Sequence, residues 1–420
     1  MSNNISSNKT DIFDKEYCES LNSLYNDNAE LTEIRWFFNK TYDWAYETEN
    51  LSPDVVLLGT AIPEEMVIAA GAKPYWIIGG SLGSVAWSDD LVPRDTDPVS
   101  RSIAGYINRP EGADFSDSLF IIPLINDSMR KIAYDLKSEG HKVCLIDVPP
   151  DSKDKYAAEK YAGQLTSMCE AVSEKTKARI SRSSVVSAMK TVSAARSVMH
   201  RFLEITRGHT DIITDAARLF VQNSYYMSPS IGEWTFHVES LIREIENRIG
   251  QSKNKKTEHP AVMLLGSPVF FPNYKIPFLV SKCGLEISEA VDYLSMKSFI
   301  TYNKKTLWGS RDRLIRNIAS TWLRYDSSPA YVKNDAMYDY VSWFVQNHKI
   351  EGVVYHVLKG QIEYDFELER FEAMLSKQGI PVFRLETDYQ YQDVEQLRIR
   401  MEAFSEMLTQ RRYREVKKAS

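Results

Sequence analysis

Cysteine is scarce. The 420 residues hold four, at 18, 144, 169 and 283, with no C-x-x-C or other close pair, so spacing writes neither a zinc site nor a disulfide framework. Isolated cysteines fit a reducing, cytoplasmic compartment. Basic charge is not in excess either, since 51 Lys and Arg stand against 57 Asp and Glu for a net charge of -6. No global field therefore holds nucleic acid or an anionic membrane, although a local basic patch remains open. No apolar run reaches the roughly 20 residues that cross a bilayer. The longest, such as VVLLGTAI and AVMLLGSPVFF, suit buried strands, and the polar start MSNNISSNKTDIFDKEYCES lacks the basic and apolar regions of a secretory signal.

Catalytic signatures are missing too. There is no Walker A sequence, and the segment GGSLGS (79–84) is only a faint nucleotide-loop signal because no sustained helical pattern follows it. The seven histidines form no HExxH or HxxxH pair, and no GxSxG elbow supplies a hydrolase nucleophile. His356, at the end of an apolar run, reads as a structural histidine before it reads as a ligand.

What is present is an ordinary globular balance, 43% hydrophobic and 26% charged, long enough for two or three domains. Residues 1–50 are expected to form an N-terminal helical arm, with Trp36, Phe37, Tyr42, Trp44 and Ala45 at helical spacing. Residues 51–154 read as a first α/β lobe: VVLLG (55–59), a helix in PEEMVIAAG (63–71), KPYWII (73–78), LFIIPL (119–124), a helix over 128–138 and KVCLIDV (142–148). Residues 155–259 read as a helical connector with an apolar stripe at Val185, Met189, Val192, Met199 and Phe202, ending in the polar linker SKNKKTEHP (252–260). Residues 260–420 read as a second α/β lobe containing AVMLLG (261–266), a helix near 274–282, GVVYHVL (352–358), a helix over 365–377 and PVFRLET (381–387).

The two lobes repeat one another. VVLLGTAIPEEMVIAAGAKPYWI and AVMLLGSPVFFPNYKIPFLVSKCGLEI share an apolar strand, a Gly, a small hydroxyl residue, a Pro-containing loop, a helix and a Gly stop. The expected fold is two similar Rossmann- or flavodoxin-like α/β lobes with parallel sheets, plus the helical arm and connector. In such sheets ligands bind beyond the carboxyl ends of strands, which points to loops 59–64, 124–128, 266–272 and 358–363 and to a cleft between the lobes. Glu64 and Glu65 open a helix behind a strand; helix capping explains both, and proton transfer by a carboxylate facing an apolar cleft is the functional alternative. Arg94, Asp95, Asp97 and Arg101 in PRDTDPVSRS read either as a solvated loop network or, through Arg101, as a contact to a substrate phosphate.

At these residues the sequence resembles a subunit of the 2-hydroxyacyl-CoA dehydratase and benzoyl-CoA reductase family, from about Val55 to Leu408. PEEMVIAAGAKP (63–74) resembles the family's P-x-E-L-I-x-A-A-G-x-x-P, DPVSRS (97–102) its C-P-x-x-R-S, and NDSMRK (126–131) its C-D-x-x-R/K. GSPVFFPNYKIPFLV (266–280) and GIPVFRLETDYQYQDVEQLRIRMEAF (379–404) carry the C-terminal half. The resemblance implies two α/β lobes per subunit, heterodimers of related subunits, an ATP-dependent iron-sulfur activator protein, an acyl-CoA substrate and anaerobic metabolism. It implies either elimination of water from a (R)-2-hydroxyacyl-CoA through a ketyl radical or dearomatisation of an arylacyl-CoA.

One departure matters. The three cysteines that hold a [4Fe-4S] cluster in family members fall here on Asp97, Asn126 and Gln361. Amide oxygens replace thiolates poorly on such a cluster. No cofactor is therefore expected in this chain, and the cluster is expected in a homologous partner subunit. Asp97, Arg101, Asn126 and Gln361 are expected to line a polar cleft, and Glu65 matches the family glutamate to which the resemblance assigns proton transfer. A scaffold role without catalysis, and a catalytic subunit with Asp and Asn ligands to a metal, stay open as alternatives.

Overall fold

Val55–Leu58 is buried at every position, and so is Gly352–Leu358; strands without a polar face must be covered on both sides. The computed structural model of the chain describes residues 2–46, 51–89, 91–110, 112–228, 230–251, 259–325, 327–328 and 331–419. Two helices come first, α1 (Ser2–Asp27) and α2 (Ile34–Tyr46). The break between them divides the helical arm expected over 1–50, and Asn28 accounts for it. Its Nδ2 donates to the Leu24 carbonyl at 2.8 Å while its Oδ1 accepts from the Thr214 N–H at 2.9 Å, closing α1 and tying it to the connector.

The first sheet joins β1 (Val55–Leu58), β2 (Pro74–Ile77), β3 (Leu119–Pro123) and β4 (Lys142–Ile146), all parallel, in the order β2-β1-β3-β4. Helices α3 (Glu65–Ala69), α4 (Leu82–Val85), α5 (Pro98–Ile107) and α6 (Asp127–Ser138) lie between these strands in the chain. Then come α7 (Ala157–Thr176), α8 (Arg182–Thr206), α9 (Asp215–Ser224) and α10 (Ile231–Gln251), with no strand among the described residues of this stretch. The linker expected at 252–260 falls mostly on 252–258, outside the described residues.

The second sheet joins β5 (Ala261–Gly266), β6 (Glu286–Val291), β7 (Gly352–Leu358) and β8 (Val382–Thr387), again all parallel, in the order β6-β5-β7-β8. Its helices are α11 (Lys275–Lys282), α12 (Arg311–Tyr325), α13 (Asp335–Asn347), α14 (Glu363–Lys377) and the closing α15 (Val394–Ala419). Both sheets thus place their second strand outermost beside the first, which is the repeat of the sequence expressed as topology. Strand β6 carries no apolar signature because Glu286, Ser288 and Glu289 interrupt it. It is nevertheless buried, with Glu289 meeting Arg207 at 2.5 Å.

One apolar cluster runs from Phe13 to Leu408 through both lobes, and a second packs β7 against α13 and α14 through Tyr355, Phe344 and Phe371. Helix α8 begins at a capping box formed by Ser181 and Ser184. It packs on α3, α10 and α12, which aims its buried face at the end of β1.

Candidate functional site

Asp97, Asn126 and Gln361, expected from the resemblance to replace the family cysteines, each stand just ahead of a helix. Asp97 caps α5, its Oδ1 accepting from the Ser100 N–H at 3.0 Å with Pro98 in the first turn. Asn126 caps α6 in the same way, accepting from the Met129 N–H at 2.8 Å. Gln361 precedes α14 and is buried. A directed chain of hydrogen bonds joins it to Asp97: the Leu358 N–H donates to Ser267 Oγ at 3.0 Å, Ser267 Oγ donates to Gln361 Oε1 at 2.7 Å, and Gln361 Nε2 donates to Asp97 Oδ1 at 3.3 Å. Asp97 and Gln361 are therefore brought together across the lobes. Asn126 makes no hydrogen bond to either among the described residues. Ser267 went unnoticed in the sequence, although its place as the hydroxyl residue after the first strand of the second lobe was visible.

Beside this contact the lobes leave a cavity of about 260 Å³, lined by Arg94, Asp95, Arg101, Lys359, Gly360 and Asp388 among others. Arg101 reaches Asp89 at 2.8 Å, Ser88 Oγ at 3.3 Å and the Arg94 carbonyl at 3.4 Å, so the acid of this network is Asp89, while Asp97, expected in it, is buried against Ser100 and Gln361. Arg101 also lines the cavity, and Lys359 faces it from the second lobe, paired to Asp388 at 3.0 Å. These partners orient the cations without removing them from the cavity wall.

Glu64 and Glu65 lie elsewhere, at the core end of the 59–64 loop, and both are 0% exposed. Arg196 of α8 reaches Glu64 Oε1 at 2.9 Å and Glu65 Oε1 at 3.1 Å. Tyr225 Oη donates to Glu64 at 2.7 Å, Tyr302 Oη donates to Glu65 at 2.6 Å, and Lys297 stands 3.5 Å from Glu64 under the rings of Trp76, Tyr226 and Trp322. Burial pushes the Glu64 carboxyl up, but the charges of Arg196 and Lys297 and the Tyr225 hydrogen bond outweigh it and hold it at about 2. Glu64 is thus an anion in a closed set of cations and donors. Glu65 keeps one oxygen, Oε2, without a hydrogen-bond partner. Arg196, Lys297, Tyr225 and Tyr302 were not anticipated. The signal for Arg196 was there, because it falls between Val192 and Met199 on the apolar stripe of α8, where a lone arginine requires a buried counter-charge.

Other candidates resolve simply. His356 is buried with Nδ1 3.2 Å from the Ser267 carbonyl, and burial holds it neutral by lowering it to about 4. The glycine-rich segment 79–84 meets an internal carboxylate: Glu16 of α1 accepts from Ser81 Oγ at 2.8 Å, the Leu82 N–H at 3.0 Å and the Gly83 N–H at 2.9 Å. Cys144 lies in β4, Cys169 in α7 and Cys283 at the end of α11; burial pushes the first two thiols up to about 11 and about 12. Among the described residues no group of three or more His, Cys, Asp or Glu side chains is arranged to hold a metal ion. No described helix is long and apolar enough to cross a membrane.

Comparison with known proteins agrees with this architecture. The chain is 21% identical over 356 residues to the Escherichia coli (strain K12) protein YjiM, named as a dehydratase subunit, covering 83% of this chain and 90% of that one. It is 22% identical over 352 residues to the (R)-phenyllactyl-CoA dehydratase beta subunit of Clostridium sporogenes, covering 82% and 89%. A family profile described as "2-hydroxyglutaryl-CoA dehydratase, D-component" matches residues 60–408. With that match spanning most of its length and two parallel sheets of identical strand order beneath it, the chain belongs to the 2-hydroxyglutaryl-CoA dehydratase D-component family.

Proposed function

We propose that this chain is the cluster-free subunit of a heteromeric, cytoplasmic acyl-CoA dehydratase, or of a related acyl-CoA reductase, and that a homologous partner subunit carries the [4Fe-4S] centre fed by an ATP-dependent activator. The observation that carries the reading is the hydrogen-bonded set at Asp97 and Gln361. Asp97 is engaged by a helix amide and by Gln361, Gln361 is engaged at both ends, and Asn126 is engaged by its own helix. A cluster needs thiolates, and the three buried or half-buried cysteines sit in β4, in α7 and just past α11, with burial raising each thiol above its ordinary range. These residues do not fit the cluster of the family.

What the site offers instead is binding. Arg94, Arg101 and Lys359 on the wall of the interlobe cavity suit the phosphates of an acyl-CoA, and their carboxylate partners hold them in position beforehand. That two relatives are named as dehydratase subunits supports a heteromeric enzyme. The test is the iron and sulfide content of the isolated chain beside that of its copurified complex, together with calorimetric titration of acyl-CoA. The expected result is iron in the complex alone and acyl-CoA binding weakened by Arg101→Glu. Stoichiometric iron and sulfide in the isolated chain overturns the proposal.

A further inference from the structure

The repeat puts a buried charge at the same place in both lobes, on the first residue of the helix that follows the first strand: Glu65 in α3 and Lys275 in α11. Glu65 suits a helix N-terminus, where the macrodipole favours an anion, and Lys275 does not. Its side chain is 1% exposed, and burial pulls its ammonium below the ordinary range. A cation set against both the dipole and the low dielectric costs stability that a neutral side chain would keep, so folding alone does not account for it.

Its hydrogen bonds all go to one short segment. Lys275 Nζ donates to the Asp388 carbonyl at 2.8 Å, to the Gln390 carbonyl and to Asp393 Oδ1 at 2.9 Å, while Asp393 Oδ2 accepts from Thr387 Oγ1 at 2.6 Å. The carbonyl in between, that of Tyr389, accepts from Asn273 Nδ2 at 3.1 Å. Three successive carbonyls are thus drawn to the start of α11, and the residues that carry them line the interlobe cavity beside Lys359. The Asp388 side chain passes the constraint on. Its Oδ1 accepts from the Gln390 N–H at 2.8 Å and its Oδ2 from Lys359 Nζ at 3.0 Å.

We propose, on the reading of this cavity as an acyl-CoA site, that Lys275 is its positioning residue: it fixes segment 388–390 as part of the second-lobe wall and, through Asp388, holds Lys359 where a phosphate of the ligand is met. Lys275 itself is not on the cavity wall. Its effect on binding therefore passes through Lys359 and not through a contact of its own.

The test is calorimetric titration of the full chain with coenzyme A, beside hydrogen exchange over 386–393. Lys275→Met keeps the stem and removes the donors; it should weaken coenzyme A about tenfold and speed exchange in that segment. Lys359→Met should weaken binding as well, and adding Lys275→Met to it should cost little more, because both act through one ammonium. Asn273→Ala frees only the Tyr389 carbonyl, so it should repeat part of the loss and keeps the test readable if Lys275→Met does not fold. Native affinity in the folded Lys275→Met or Asn273→Ala variant, or losses that simply add in the double variant, overturns the proposal, since a residue needed only for folding acts independently of Lys359. If the native chain does not bind coenzyme A, it is the acyl-CoA reading that fails; faster exchange confined to 386–393 in the variant then sustains the hold of Lys275 on the segment, and unchanged exchange overturns that too.

Discussion

Gln361 of the second lobe donates to the carboxylate of Asp97 in the first, 3.3 Å away, and the same carboxylate oxygen caps a helix through the Ser100 N–H. Removing it severs both bonds and leaves a buried amide donor unmet. Loss of a cap costs about 0.5–2 kcal/mol, and a buried unsatisfied group about 1–3 kcal/mol. Asp97→Ala is therefore expected to lower unfolding stability by about 2–3 kcal/mol in urea. Asp97→Asn keeps an acceptor for both donors and should cost less than half as much. Equal losses for the two variants would show that the carboxylate's charge, and not its hydrogen bonds, is what the site requires.

Arg196 neutralises two buried glutamates at once. Breaking a buried ion pair from one side typically costs about 3–5 kcal/mol, because the remaining charge has no water to return to. Arg196→Met should fall in that range by chemical denaturation. Adding Glu65→Gln should recover much of the loss, since Glu64 keeps Lys297 at 3.5 Å as its counter-charge while the carboxylate that only Arg196 paired is then gone.

The strands and the duplication were legible in the sequence because parallel strands buried on both faces leave continuous apolar runs, as in Val55–Leu58 and Ala261–Gly266. Strand β6 was not legible. Its buried Glu289 is acceptable because Arg207, 82 residues away in the chain, lies against it, and no local pattern records a partner so distant. The same holds for the site. Asp97 and Asn126 both cap helices, although the sequence reads 94–101 as a loop network and starts the next helix at 128; Asp-Pro at 97–98 and Asn-Asp at 126–127 are the local helix-start signals that reading passes over. That Gln361 closes on Asp97 is a fact of how two lobes meet, as is the enclosure of Glu65 by Tyr302 and Trp322.

Two acids, buried Glu64 and half-buried Asp292, should give the stability curve opposite slopes with pH. Glu64 is held in the folded chain at about 2, below its ordinary 4.5, so its contribution is full above pH 4.5 and is lost as pH falls toward 2. Asp292 is pushed by burial from 3.8 to about 6, so its contribution is full below pH 3.8 and is lost as pH rises through 6. At about 1.4 kcal/mol per tenfold, the Asp292 displacement is worth about 3 kcal/mol. Unfolding free energies measured from pH 3 to 8 should show Glu64→Gln flattening the acid limb. Asp292→Asn should flatten the decline between pH 4 and 6, because the amide oxygen still accepts from the Ser295 N–H.

Two glycines of the first lobe, one of them against the second lobe, offer a comparison. Gly59 (φ 71°) and Gly80 (φ 98°) both occupy backbone conformations that side chains resist, so each pays at least the cost of a left-handed residue, about 1–2 kcal/mol. Around Gly59 a Cβ would meet nothing within 4 Å. At Gly80 it would lie 2.3 Å from the Phe271 carbonyl oxygen and 2.9 Å from Phe270 Cβ, both belonging to the second lobe. Gly59→Ala should therefore lower thermal stability modestly, and Gly80→Ala should lower it several-fold more by forcing the lobes apart. If the lobes could part at this seam without loss, the two variants would unfold together, and the Asp97–Gln361 contact would have to be only one of several ways the halves can meet.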